Sequence, residues 1–141
     1  MLAVREQTLA PDNPDLLESL TGLAEVYSDE QKFSDAEPLL ERALAIREKV
    51  SKPDSREMAA NLLFLGIAYV AEQRYADAVP MFERALPILE KTLTPDNLKL
   101  LPILELYATA LQRSNRNAEA EQIASRIKAI RTKQTEEKPQ N

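Results

Sequence analysis

Residues 57–89 read EMAANLLFLGIAYVAEQRYADAVPMFERALPIL. Leu62, Leu65, Gly66 and Tyr69 fall at i, i+3, i+4 and i+7, which is one face of a helix. Ala78, Phe82, Ala85 and Leu89 lie on one face of a second helix, beyond the polar turn Glu72-Gln73-Arg74-Tyr75. A turn that short sets the two helices antiparallel. The stretch is therefore a helical hairpin, and on either side the chain carries a near copy of it.

The punctuation shows the copies first. Pro11-Asp12, Pro53-Asp54 and Pro95-Asp96 recur every 42 residues. The same step joins Leu20, Leu62 and Leu104, then Ala24, Gly66 and Ala108, then Tyr27, Tyr69 and Leu111. Farther along it joins Phe33, Tyr75 and Asn117; Ala36, Ala78 and Ala120; Ala43, Ala85 and Ile127; and Ile46, Ile88 and Ile130. Agreement at so many apolar and small positions in one register marks stacked supersecondary units. A small residue at Ala24, Gly66 and Ala108 suits a point where two helices approach closely. At Gly66 this outweighs the cost of about 1 kcal/mol for glycine in a helix interior.

The order Leu62, Leu65-Gly66, Tyr69, then Ala78, Phe82 and Ala85 resembles the tetratricopeptide repeat. The longer period, second helices such as LERALAIREKV and the Pro-Asp linker resemble the kinesin light chain type of that repeat. The prolines that end the standard repeat are missing, so each second helix runs on to the linker. The resemblance implies an all-α fold, a right-handed α-solenoid of antiparallel helix pairs. It covers nearly the whole chain and specifies fold more closely than function.

The expected domain spans residues 1–132, with repeats at 15–50, 56–93 and 98–132. The paired helices are placed at 15–29 and 34–50, 56–71 and 76–93, and 98–114 and 118–132. Ser34 is expected as the N-cap of its helix, with Asp35 at the positive end of the helix dipole. Pro38 and Pro80 fall in first turns and read as structural, whereas Pro87 should kink its helix or loosen a turn. Pro102 should delay the start of its helix or bend it. Residues 1–9 match the end of a second helix, so the chain opens within a repeat: either it is cut from a longer array, the favoured reading because array ends need polar caps, or a degenerate half repeat serves as the N-terminal cap. The last predicted helix is more polar than its counterparts, which suits a terminal helix with water on one side. The tail 133–141, KQTEEKPQN, lacks apolar residues and is expected to be disordered, as at a natural C-terminus.

Composition narrows the functional classes. With 141 residues and two glycines, this is one helical domain's worth of chain. A mean hydropathy of -0.37 and the lack of a long apolar run argue against a membrane span. MLAVREQTLA lacks the basic start and apolar core of a signal peptide. The chain has no cysteine and no histidine, which removes disulfides, thiolate metal sites and imidazole bases. This is compatible with the cytoplasm, the expected location. A net charge of -5, with Lys and Arg interspersed among acids, argues against nucleic acid. Glu18 with Glu25, and Glu119 with Glu121, could be read as paired carboxylates, but no nucleophile, base or phosphate loop accompanies them. No catalytic residue, metal or cofactor is expected, and the four tyrosines read as packing residues with a wet hydroxyl.

What remains is binding. In the resembling family the first helices of the pairs line the concave side. That places Glu18, Thr21, Gly22, Glu25 and Ser28 in the groove from the first unit, and Ala60, Leu63, Phe64, Ile67 and Val70 from the second. From the third it places Pro102, Glu105, Leu106, Thr109 and Gln112. Family members that hold a peptide's terminal carboxylate carry Lys, Arg and Asn there, and none is present, so no carboxylate clamp is expected. Thr21, Glu25, Ala60, Leu63, Phe64, Ile67, Glu105 and Thr109 are the candidate partner-binding residues. An apolar middle flanked by glutamates suits a protein or peptide partner, amphipathic and carrying Lys or Arg. Against this stands the plainer reading, that a central solenoid helix is simply core. The rival function is structural: stacking in a longer array, or self-association through residues 1–9 and the first helix.

Overall fold

The computed structural model describes residues 13–50 and 52–137. Among these there are six α-helices and no strand: α1 (Leu17–Asp29), α2 (Phe33–Val50), α3 (Arg56–Ala71), α4 (Tyr75–Thr92), α5 (Leu101–Arg113) and α6 (Asn117–Glu137). None of the helices described is long and apolar enough to cross a membrane. Packing is densest within the pairs α1–α2, α3–α4 and α5–α6. Each second helix also packs on the next first helix, α2 on α3 and α4 on α5. The first helices touch in turn, α3 lying between α1 and α5. Contacts that pass from neighbour to neighbour in this way build a solenoid.

The 42-residue step governs the helix ends as well as the core. Asn13, Ser55 and Asn97 are successive N-caps: their side chains accept from the amides of Asp15, Met58 and Lys99 at 2.9, 3.1 and 2.9 Å. Short 3-10 turns, Pro14–Leu16 and Leu98–Leu100, follow the two asparagines. They delay α1 and α5 to Leu17 and Leu101, and Pro102 takes a place early in α5, where no amide is needed.

The turns inside the hairpins are three copies of one motif. Gln31, Gln73 and Asn115 have φ of 60°, 62° and 61°, the left-handed region. Lys32, Arg74 and Arg116 donate back to the carbonyls of Tyr27, Tyr69 and Leu111 at 2.7, 2.7 and 2.9 Å. Gln31, Gln73 and Asn115 donate to Ser28, Val70 and Gln112. This 6→1 plus 5→2 pattern is the Schellman close of a helix, usually made with glycine. It reverses the chain so sharply that each second helix starts one residue earlier than its sequence suggests. Ser34 is therefore the second residue of α2 and not its cap; the Lys32 carbonyl accepts from Asp35 and Ala36 instead.

α6 also corrects the expected tail. It continues to Glu137, five residues past the anticipated end at Thr132. Lys133 pairs with Asp96, and the Thr135 hydroxyl donates to the Arg131 carbonyl, while no helix breaker occurs before Pro139. Residues 138–141 lie outside the described residues, as does the partial helix expected at 1–9. α4 runs unbroken through Pro80 and Pro87, both on its exposed side.

Leu16, Met58 and Leu100 are buried in register, as are Leu20, Leu62 and Leu104. At the close approach, a Cβ on Gly66 would stand 2.9 Å from Cζ of the buried Phe82. The equivalent pairs are Ala24 with Leu40 and Ala108 with Ala124, so the middle unit trades a methyl for a ring. That ring reaches the next unit, its centroid 5.9 Å from that of Tyr107. Asn61 is buried between units: its amide nitrogen donates to the Leu40 carbonyl at 3.0 Å, and its oxygen accepts from Arg47 Nε at 3.2 Å.

A ladder of ion pairs follows the same 42-residue step. Arg84 meets Glu48 at 3.0 Å, and Arg126 meets Glu90 one step later. Lys91 meets Asp54 at 2.8 Å, and Lys133 meets Asp96. Exposed pairs like these contribute little to stability, because water screens the attraction and ordering two long side chains costs entropy. Their repetition fixes register more than it adds stability.

Candidate protein-binding surface

The eight candidate residues lie on the three first helices: Thr21 and Glu25 on α1, Ala60, Leu63, Phe64 and Ile67 on α3, Glu105 and Thr109 on α5. α3 touches both α1 and α5, so the three groups lie on neighbouring helices. Ala60, Glu25, Glu105 and Thr109 are exposed, while Thr21, Leu63, Phe64 and Ile67 are half-buried. Leu63, Phe64 and Val70 also pack against the main core, so part of their surface belongs to the fold. Ile67 is half-buried without joining any core cluster among the described residues.

The polar groups flanking α3 are partly committed. The Thr21 hydroxyl donates to its own helix at the Leu17 carbonyl, 2.7 Å away, and Thr109 does the same to Glu105 at 3.0 Å. Both threonines thus spend their donors locally, which leaves methyl groups as their apolar contribution. The Glu105 carboxylate pairs with Arg131 of α6. Glu18 and Glu25 form no ion pair among the described residues, so the acidic charge of the strip sits mainly on α1.

Other groups singled out from sequence resolve into structure. Arg116 donates to both Glu119 oxygens, at 2.8 and 2.5 Å, and holds that carboxyl below the usual 4.5. Glu119 is therefore one half of an ion pair rather than a proton donor. The Tyr69 hydroxyl donates to Glu41 of α2 at 2.9 Å, and Arg74 lies over its ring at 4.6 Å. Burial and that bond to Glu41 push its phenol upward. Tyr69 and Arg74 fasten one unit to the one before it.

Two features escaped the residue-by-residue reading. Val26 on α1 is 51% exposed, whereas its equivalents Ala68 and Ala110 are 0% exposed. At the other end, depressions of about 400 and 510 Å³ lie along α5 and α6. Comparing each residue with its counterpart 42 places away would have found both.

The tetratricopeptide repeat family model matches residues 2–49 and 57–133. Among solved structures, the putative kinesin light chain with nearly identical TPR-like repeats from Podosopora anserina superposes with a TM-score of 0.69 at 28% identity. The match covers 94% of this chain and 63% of that one. A single-substitution variant of that protein also gives 0.69, at 27% identity, over 96% and 64% of the two chains. BtubC (BKLC) from P. vanneervenii gives 0.74 at 21% identity over 99% and 56%, a likeness of fold alone. The chain therefore spans less than two thirds of the length of these structures. Among curated proteins none matches. With most of its length matched by the family model, and with the hairpins, turns and stacking all in one register, the chain belongs to the tetratricopeptide repeat family, in a kinesin light chain-like form.

Proposed function

We propose that the protein is a scaffold, without chemistry of its own, whose first-helix strip holds an amphipathic partner segment carrying Lys or Arg. Tetratricopeptide repeats mediate protein–protein association, and a cytoplasmic setting suits a chain without cysteine. The observation that carries the finer reading is the composition of α3. Ala60, Leu63, Ile67 and Val70 are incompletely covered and include no polar side chain, while Glu18 and Glu25 stand on the adjoining helix. Covering Leu63 and Ile67 would contribute about 1.5–3 kcal/mol each if fully achieved. The glutamates would steer a basic segment and set its direction.

The test uses a fluorescein-labelled 18-residue amphipathic helix with Leu on one face and Lys on the other. Ile67→Glu should abolish its binding while leaving the circular dichroism intact; the pair Leu63→Ala with Phe64→Ala should abolish it too, with a lower melting temperature because both side chains also pack on the core. Glu18→Lys with Glu25→Lys should weaken it at least tenfold and remove its salt dependence. Binding unchanged in these variants would refute the groove reading.

Val26 favours a second reading, stacking through α1 on another repeat or on a second copy. Sedimentation at several concentrations separates the two. A dimer that Val26→Asp dissolves supports stacking, whereas a strict monomer that still binds the peptide supports the groove.

A further inference from the structure

The face of α4 that receives α5 is made by Val79, Phe82 and Leu86, all buried, with Leu89 half-buried beside them. One step later the same positions of α6 hold Glu121, Ala124, Lys128 and Arg131, all exposed. The key exchange is Phe82 for Ala124. In the middle unit the phenyl ring fills the space over Gly66, whereas in the last unit Ala108 and Ala124 line open depressions. What remains is a trough whose two depressions, about 400 and 510 Å³, share Ala108 and Ala124. Ala120 and the buried Ile127 add to its apolar floor. Glu121 stands at one end and Lys128 and Arg131 at the other, where Glu105 pairs with Arg131 and leaves Lys128 as the surplus charge.

We propose that this trough is a second docking surface, taking an amphipathic helix of another protein that supplies the missing large apolar side chain. The fold itself indicates a helix, because the equivalent trough is filled by α3 on α2 and by α5 on α4. Those covering helices run antiparallel to the helix beneath them. A guest in the same direction sets its first half beside Lys128 and Arg131 and its second half beside Glu121. Acids early and bases late complement these charges, and the same distribution suits the guest's own helix dipole. A guest in the reverse direction meets like charges at both ends. A Phe, Leu or Met at its centre drops over Ala108 and Ala124.

The trough shares Glu105 and Thr109 with the strip but has no lining residue on α1 or α3, so a substitution on α3 tests the strip alone. The probe is a stapled 16-residue helix with Glu in its first two turns, one central Phe and Lys in its last two, labelled with fluorescein; a control peptide has the charges exchanged. Anisotropy titration with the full chain should show the first peptide binding at least tenfold tighter than the control. Ala124→Phe, which restores the ring seen in the middle unit, should weaken binding at least tenfold. Glu121→Lys with Lys128→Glu should reverse the preference between the peptides. Ile67→Glu should leave all of this unchanged. Because Glu121, Ala124 and Lys128 are exposed, circular dichroism and melting are expected to stay as in the parent. Equal binding of both peptides, no binding, or indifference to Ala124→Phe would overturn the proposal. So would a concentration-dependent dimer that Ala124→Phe dissolves, since the occupant would then be a second copy.

Discussion

The pairing of Gly66 with Phe82 gives the sharpest test of the repeat geometry. Gly66→Ala alone brings a methyl to 2.9–3.2 Å from three atoms of a fully buried ring, so the ring must shift to admit it. Overpacking of this kind costs about 1–3 kcal/mol, while the alanine returns about 1 kcal/mol of helix propensity. The net expectation is a loss of about 1 kcal/mol. Phe82→Leu alone should also cost about 1 kcal/mol, as a modest loss of core volume. Together the two substitutions reproduce the Ala24–Leu40 pair of the first unit. The clash is gone and the propensity gain remains, so the double variant should lie near the parent. The coupling is then about 2 kcal/mol, well above the 0.3–0.5 kcal/mol scatter of independent sites. Urea unfolding followed by circular dichroism measures it, with equal slopes required for the comparison. Additive effects would show that these residues do not share one contact, and that the 42-residue register is not a register in space.

Three further outcomes follow from the turns, the buried amide and the ion pairs. Gln31→Gly and Gln73→Gly should each raise stability by about 0.5–1 kcal/mol in urea unfolding, since both residues hold positive φ; Asn115→Gly should gain less, because Asn tolerates that region better. Asn61→Ala breaks the bonds to Leu40 and Arg47 and should cost about 1–3 kcal/mol, with Arg47→Ala adding little in that background if the two act as one link. Lys91 and Lys133 hold the carboxyls of Asp54 and Asp96 below the usual 3.8, so the folded chain keeps these charges to lower pH than the unfolded chain does. Their contribution is present above about pH 4 and is lost as pH falls through the depressed values. Asp54→Asn with Asp96→Asn should flatten the acid side of the urea midpoint against pH, and an unaltered slope would count against the ladder.

The helix pairs were legible because apolar periodicity and proline punctuation reach the sequence directly. Leu62, Leu65, Gly66 and Tyr69 point the way they must for α3, and Pro102 delays α5 as its missing amide requires. The turns were less legible. Gln73 carries no sign that it will take positive φ, because the Schellman bonds that impose it run between backbone atoms. Ser34 looked like a cap for the same reason, since the bonds that start α2 come from the carbonyl of Lys32. The end of α6 was misjudged because an apolar count cannot see Lys133 reaching Asp96 in the preceding linker. On the candidate strip, sequence could assign residues to the first helices but could not divide Phe64 between core and surface, because that depends on how closely the neighbouring helices approach.

The repeat also separates what the fold needs from what it leaves free. Where three copies agree, as at Leu20, Leu62 and Leu104, packing alone accounts for the residue, and no function need be sought there. Where they disagree at a position that stays accessible, the fold has made no demand. Thr21, Leu63 and Glu105 form one such series, and Glu25, Ile67 and Thr109 another. Val26 against Ala68, and Ala124 against Phe82, disagree in another way: Ala68 and Phe82 are buried, whereas Val26 and Ala124 are exposed. The two kinds of disagreement correspond to two kinds of partner, one laid across the first helices and one continuing the stack. A substitution that weakens binding on the α3 strip while sparing the α6 trough, together with the converse, would separate them, whereas a single substitution that removed both would show that the three units respond as one.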